Sequence, residues 1–159
     1  MVINLTEKEK LLLQDQKRHE EVCIQKYNDY ANQAQDPQLK QLFNYHAQQE
    51  QQHLNTINQI LSGQVPNVSQ QQGQQMQQSG AQGQVQSFMQ GTAGNQHDAA
   101  LCRDLLMTEK YVSGTYDTAI FEFTDTNVRQ VLNHIQKEEQ QHGEEILNYM
   151  QSKGMYNPQ

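Results

Sequence analysis

Positive charge, cysteine and long apolar runs are all scarce in this chain, and each scarcity closes off a class of protein. Lys and Arg number 11 against 18 Asp and Glu, for a formal net charge of -7. Nucleic acid and anionic membrane are therefore not expected as main partners, since both need clustered Lys and Arg. No stretch approaches the roughly 18 consecutive apolar residues of a membrane helix. No basic-then-apolar segment opens the chain, so synthesis in the cytoplasm without a signal peptide is expected. The two cysteines, Cys23 and Cys102, have no metal-type spacing to each other. They are expected as small core residues, with a disulfide or a reactive thiol as the other reading. Hydrophobic residues make up only 35% of the 159, but the deficit is concentrated in one segment. The remainder suffices for one domain with a core of its own.

What the chain does have is helix punctuation. Thr6 and Glu9 have the spacing of a capping box, which opens a long helix. Leu12, Leu13, Glu20, Tyr27 and Ala31 or Ala34 supply its inner face, and no proline interrupts before Pro37. Asp36-Pro37 then ends this helix and starts a second, with Asp as the cap and Pro at the first helical position. Ser62-Gly63 stops the second helix. From about 62 to 96 Gln, Gly, Ser and Asn dominate. Such a composition buries too little apolar surface to offset its ordering entropy, so a flexible crossing linker is expected. Within it Val85, Phe88 and Met89 are the residues most suited to dock. Self-association through the glutamine tract is the sharper reading of the same segment. Asn95 caps a third helix, Asp125 a fourth, and Lys153-Gly154 closes it. The expected layout is hairpin 1 over about 5–62, linker about 63–95, hairpin 2 over about 96–153 and a short tail, 154–159.

The two hairpins repeat each other. Glu50-Gln51-Gln52-His53 recurs as Glu139-Gln140-Gln141-His142, at an offset of 89 residues. The same offset, without a gap, pairs Thr6 with Asn95, Glu20 with Glu109, Tyr27 with Tyr116 and Asp36 with Asp125. Two such hairpins bury their faces by packing together, which predicts an all-α four-helix bundle with a long crossover. Residues three apart share a helix face, so each phrase points its carboxylate and imidazole the same way. Both phrases fall on the apolar stripe: Phe43, His46, Glu50, His53, Ile57 and Ile60 in the first copy, and Leu132, Ile135, Glu139, His142, Ile146 and Tyr149 in the second. Glu20 and Glu109 lie on such stripes as well. Among the glutamates, the repeat retains only these and the two in the phrases. Glu138 maps onto Gln49 and Glu145 onto Thr56, so both are set aside, as are His46, His19, His97 and His134.

Six ligand-type residues thus stand where apolar ones belong. Four core carboxylates would total about -4, and two divalent cations neutralise them. One Glu from each of two helices with Glu-x-x-His from each of the other two is the donor set of carboxylate-bridged di-iron or di-manganese sites in ferritin-like bundles. Glu50 and Glu139 would bridge, His53 and His142 would each take one metal, and Glu20 and Glu109 would complete the ends. Iron or manganese suits these donors, zinc less so. Tyr27 and Tyr116 are candidates to hydrogen-bond a carboxylate on a neighbouring helix. The other reading is hydrated Glu–His pairs with raised carboxyl pKa values and no metal.

Leu5-Thr6-Glu7-Lys8-Glu9, Gln33-Ala34-Gln35-Asp36-Pro37, Glu50-Gln51-Gln52-His53, and Asn148-Tyr149-Met150 with Lys153-Gly154-Met155-Tyr156 resemble the CotF-like (Coat F domain) spore coat proteins of the ferritin-like superfamily. The likeness covers about 5–61 and 97–156. Met155 departs from it, standing where a tryptophan is expected in many relatives. The resemblance implies a spore-coat destination with other coat proteins as partners, and does not by itself imply an enzyme; a homo-oligomer is among the expected options. The expected function is a structural or interaction protein of the coat with a di-metal site. The alternative is a di-iron or di-manganese oxidoreductase of oxidase, peroxidase or catalase type.

Overall fold

A computed structural model describes residues 2–67 and 95–156. Four helices carry the fold: α1 (Glu7–Gln33), α2 (Pro37–Leu61), α3 (Gln96–Glu122) and α4 (Thr126–Ser152). Each begins at the residue the sequence marks. Thr6 and Glu9 form the reciprocal capping box, and Asp36, Asn95 and Asp125 each accept a backbone N–H of their first turn. Such caps satisfy donors that the first turn leaves orphaned, for about 1 kcal/mol each. Gly63 and Gly154 follow the ends of α2 and α4 with φ of 88° and 69°, a backbone region that glycine enters without strain. The expected crossover and its docking residues Val85, Phe88 and Met89 fall on 68–94, outside the described residues.

α1 packs against α2 and α3 against α4, making an all-α four-helix bundle of two hairpins. The hairpins join with α1 antiparallel to α3: Lys8 meets Glu122 at one end, and Lys26 meets Asp104 further along. α2 runs antiparallel to α4, with His53 beside Glu138 and His46 beside Glu145. The helix order is therefore up, down, down, up. α2 ends where α1 begins, with Ile3 N–H donating to the Gly63 carbonyl at 2.9 Å. α3 begins at the opposite end, a helix length of about 38 Å away.

The contacts at the two interhelical turns come as a pair related by the 89-residue offset. The Gln35 and Asp36 N–H groups, in the α1–α2 turn, each donate to Asp98 at 2.9 Å. Its repeat mate Glu9 does the same for the α3–α4 turn, accepting from Thr124 N–H at 3.2 Å and Thr124 hydroxyl at 3.3 Å. The two hairpins clasp each other reciprocally, the first helix of each holding the turn of the other. This is the isologous pattern of a symmetric dimer, written into one chain.

Two apolar clusters fill the bundle. One gathers Leu13, Ile57, Ile60, Val112, Val128, Leu132 and Ile135 near the end where α1 begins. The other gathers Leu39, Phe43, Leu101, Leu105, Ile146 and Met150 near the opposite end. Cys23 and Cys102 are both free and buried, one in each cluster, as small core residues. Between the two clusters lies a polar layer.

Candidate metal centre

Every helix contributes to that layer. Glu20 comes from α1, Glu50 and His53 from α2, Glu109 from α3, and Glu139 and His142 from α4. None is more than 3% exposed. They fall into two groups, Glu20–Glu50–His53–Glu139 and Glu50–Glu109–Glu139–His142. Within each group, one donor atom per residue lies within 4.8 Å of all the others. Glu50 and Glu139 belong to both.

The shared carboxylates face both ways. Glu50 sets Oε2 3.0 Å from His53 Nδ1 and Oε1 3.2 Å from His142 Nδ1. Glu139 sets Oε1 3.1 Å from His53 Nδ1 and Oε2 3.6 Å from His142 Nδ1. Glu20 closes the first group, with Oε2 3.7 Å from His53 Nδ1, and Glu109 the second, with Oε1 3.3 Å from His142 Nδ1. Both imidazoles thus turn Nδ1 inward to the carboxylates and Nε2 outward.

The two tyrosines hold the terminal acids across the α1–α3 interface. Tyr116 on α3 donates its hydroxyl to Glu20 Oε1 on α1 at 2.5 Å. Tyr27 on α1 donates to Glu109 Oε1 on α3. Each therefore reaches a carboxylate on a neighbouring helix.

Charge decides what this layer needs. Burial pushes the Glu50 carboxyl well above its usual range, and the charges of Glu20 and Glu109 push it further. Burial and the charges of Glu50, Glu20 and Glu109 do the same to Glu139. Burial also acts against ionised Glu20 and Glu109, but hydrogen bonds from their neighbours outweigh it and hold both below the usual range. On His142, burial favours the neutral ring. The Glu109 charge and the surrounding bonds win, and its pKa is pushed up to about 10. His53 is raised in the same way by Glu138 and Glu139. With no cation, the cluster must keep protons to offset its negative charge. Three deeply buried oxygens, Glu20 Oε2, Glu109 Oε2 and Glu139 Oε2, still have no hydrogen-bond donor. Hard oxygen atoms without donors, facing paired imidazoles, fit divalent cations such as iron or manganese.

Sequence reasoning passed over the shell outside this layer. Glu138 is buried and places Oε2 2.6 Å from His53 Nε2 and Oε1 2.8 Å from His134 Nε2. Its repeat mate Gln49 places Oε1 2.5 Å from His142 Nε2 and donates through Nε2 to the Tyr45 hydroxyl at 2.7 Å. Each outer group thus serves the histidine of the opposite hairpin. His46 is fully buried, stacked on His142 with ring centroids 4.3 Å apart, and its Nε2 lies 3.0 Å from Glu145 Oε2. Burial and the neighbouring His142 lower its pKa to about 4. The signal for Glu138 and Gln49 lay in the sequence: both immediately precede the Glu-x-x-His phrase and occupy the same repeat position. Requiring identical residues at paired positions discarded them.

Residues 97–159, which span the second hairpin, match the sequence model of the Coat F domain. No curated protein and no solved structure matches the chain. No described helix is long and apolar enough to cross a membrane.

Proposed function

Because this chain carries a Coat F domain over residues 97–159, we propose that it is a structural protein of the spore coat, of ferritin-like architecture, whose core binds two divalent metal ions. The coat assignment rests on that domain, and its partners are then other proteins of the coat. The metal assignment is carried by one observation: Glu50 and Glu139 each present one oxygen to His53 and the other to His142.

In this reading Glu50 and Glu139 would be shared by both ions, Glu20 with His53 would hold one, and Glu109 with His142 would hold the other. When bound, such a pair of iron or manganese ions supplies one-electron chemistry on oxygen or peroxide. The chain's own residues do the rest. Tyr27 and Tyr116 fix the rotamers of the terminal carboxylates through their hydroxyls. The apolar clusters on either side of the layer keep water out and strengthen its electrostatics. Since the donors come from all four helices, binding also ties the two hairpins together, a use suited to a protein that serves by persisting.

The test is elemental analysis of protein purified after growth with iron and manganese. About two metal ions per chain are expected, and a Glu50→Ala/Glu139→Ala double variant should hold none. A metal-free wild-type protein would remove the metal assignment. Consumption of oxygen or peroxide by the loaded protein would shift the reading to an oxidoreductase. Immunodetection in extracts of mature spore coats, and its failure there, decides the location separately.

A further inference from the structure

The 89-residue repeat is nearly exact in the inner layer and broken directly behind it. His53 has a carboxylate at its outer nitrogen, Glu138 Oε2 at 2.6 Å. His142 has an amide in the equivalent place, Gln49 Oε1 at 2.5 Å. The next residue outward differs too: His134 stands against Glu138, and its repeat mate Tyr45 stands against Gln49. On the His142 side alone a third imidazole, His46, stacks on the ring. Its repeat mate is Ile135, an apolar core residue.

We propose that the two metal positions are inequivalent, the one at His53 being the tighter, because Glu138 backs that imidazole with a carboxylate where His142 has only the amide of Gln49. This rests on the two-metal reading above. A metal-bound imidazole donates its outer N–H. A carboxylate accepts that bond more strongly than an amide, which raises electron density at the coordinating nitrogen. Outer partners of this kind are typically worth about 10- to 100-fold in metal affinity. Glu138 is a positioning and tuning residue here, two bonds removed from any ion. On its other side Oε1 lies 2.8 Å from His134 Nε2.

The experiment is a titration of full-length, chelator-stripped protein with Mn(II), with free Mn(II) followed by its electron paramagnetic resonance signal. Wild-type protein is expected to bind in a tight and a weak step. His53→Ala should remove the tight step and His142→Ala the weak one. Glu138→Gln, nearly isosteric, should weaken the tight step about 10-fold or more and leave the weak step in place. The decisive protein is the exchange variant Glu138→Gln/Gln49→Glu. There the tight step should return but depend on His142, since the carboxylate now stands behind the other ring. A merely structural role for Glu138 would not move that dependence. If Glu138→Gln leaves both steps unchanged, or the exchange variant still depends on His53 for its tight step, the inference is overturned while the two-metal reading stands. If wild-type protein binds no Mn(II), both fall together.

Discussion

Replacing Asp98 by alanine should cost this bundle more than almost any other polar substitution remote from the buried polar layer. Asp98 is fully buried at the start of α3 and accepts three hydrogen bonds, from Gln35 N–H at 2.9 Å, Asp36 N–H at 2.9 Å and Asn95 Nδ2 at 3.1 Å. Two of the donors are backbone groups of the α1–α2 turn, and alanine leaves them with nothing to bond. A buried donor stripped of its partner costs about 1–3 kcal/mol, so the loss should total about 3–5 kcal/mol. For a chain of this size 1 kcal/mol moves the melting temperature by about 2–4 °C, giving a drop on the order of 10 °C. Asp98→Asn keeps one acceptor oxygen and should cost about half as much. Urea unfolding followed by circular dichroism, with chelator present so that metal does not contribute, measures the change as a shifted midpoint at unchanged slope. Glu9→Ala provides the scale. It removes the mate contacts, which are longer at 3.2 and 3.3 Å, together with the capping-box bond from Thr6 N–H at 2.9 Å, and should cost about 1–2 kcal/mol. A loss below about 1 kcal/mol for Asp98→Ala, or one no larger than that of Glu9→Ala, would refute the claim that the clasp joins the hairpins.

Glu9 also carries a pH signature. Burial raises its pKa, but bonds from the backbone N–H groups of Thr6 and Thr124 and from both hydroxyls outweigh this, and the net shift is downward. A carboxyl with a depressed native pKa contributes stability above its unfolded value, about 4.3, and loses it as pH falls through the native one. The stability gap between wild type and Glu9→Gln should therefore be full at pH 7 and close on acidification below about 4. A gap independent of pH would contradict this. The helix order makes a prediction about chain length. Replacing 65–94 by about 16 Gly/Ser residues, a reach of about 50 Å, should preserve helicity, whereas about 6 residues, a reach of about 20 Å, cannot bridge a helix length of about 38 Å and should abolish the monomeric bundle. A stable monomer with the short segment would refute the up-down-down-up arrangement.

The helices and their ends were legible because each rests on local chemistry: Thr6 with Glu9, Asp36 with Pro37, and Asp125 act within a few residues of themselves. The inner layer was legible for a different reason. A glutamate or histidine on an apolar stripe is costly, and six such residues kept in register by a repeat mark a shared site. The outer shell was hidden by the same repeat. Glu138 and Gln49 differ in type yet hold equivalent places, and their contacts cross from one hairpin to the other. Nothing in the periodicity of α4 says that Glu138 will meet His53 of α2 rather than its own neighbour His142. That choice belongs to the α2–α4 packing, as does the pairing of His46 with Glu145. Asp98 and Glu9 were hidden likewise, each looking like an ordinary first-turn acid until the opposite turn arrives beside it.

The reciprocal clasp has a consequence for how such a protein can be made. Each hairpin carries three of the four residues of one buried group and borrows the fourth, Glu139 or Glu50, from the other. Each also brings one acid to hold a turn and one turn to be held. A gene encoding a single hairpin would therefore already specify the whole assembly once two copies met face to face about a twofold axis. Fusion of two such copies frees them to diverge. Position 49 and position 138, no longer obliged to be the same amino acid, are where this chain has used that freedom beside its core.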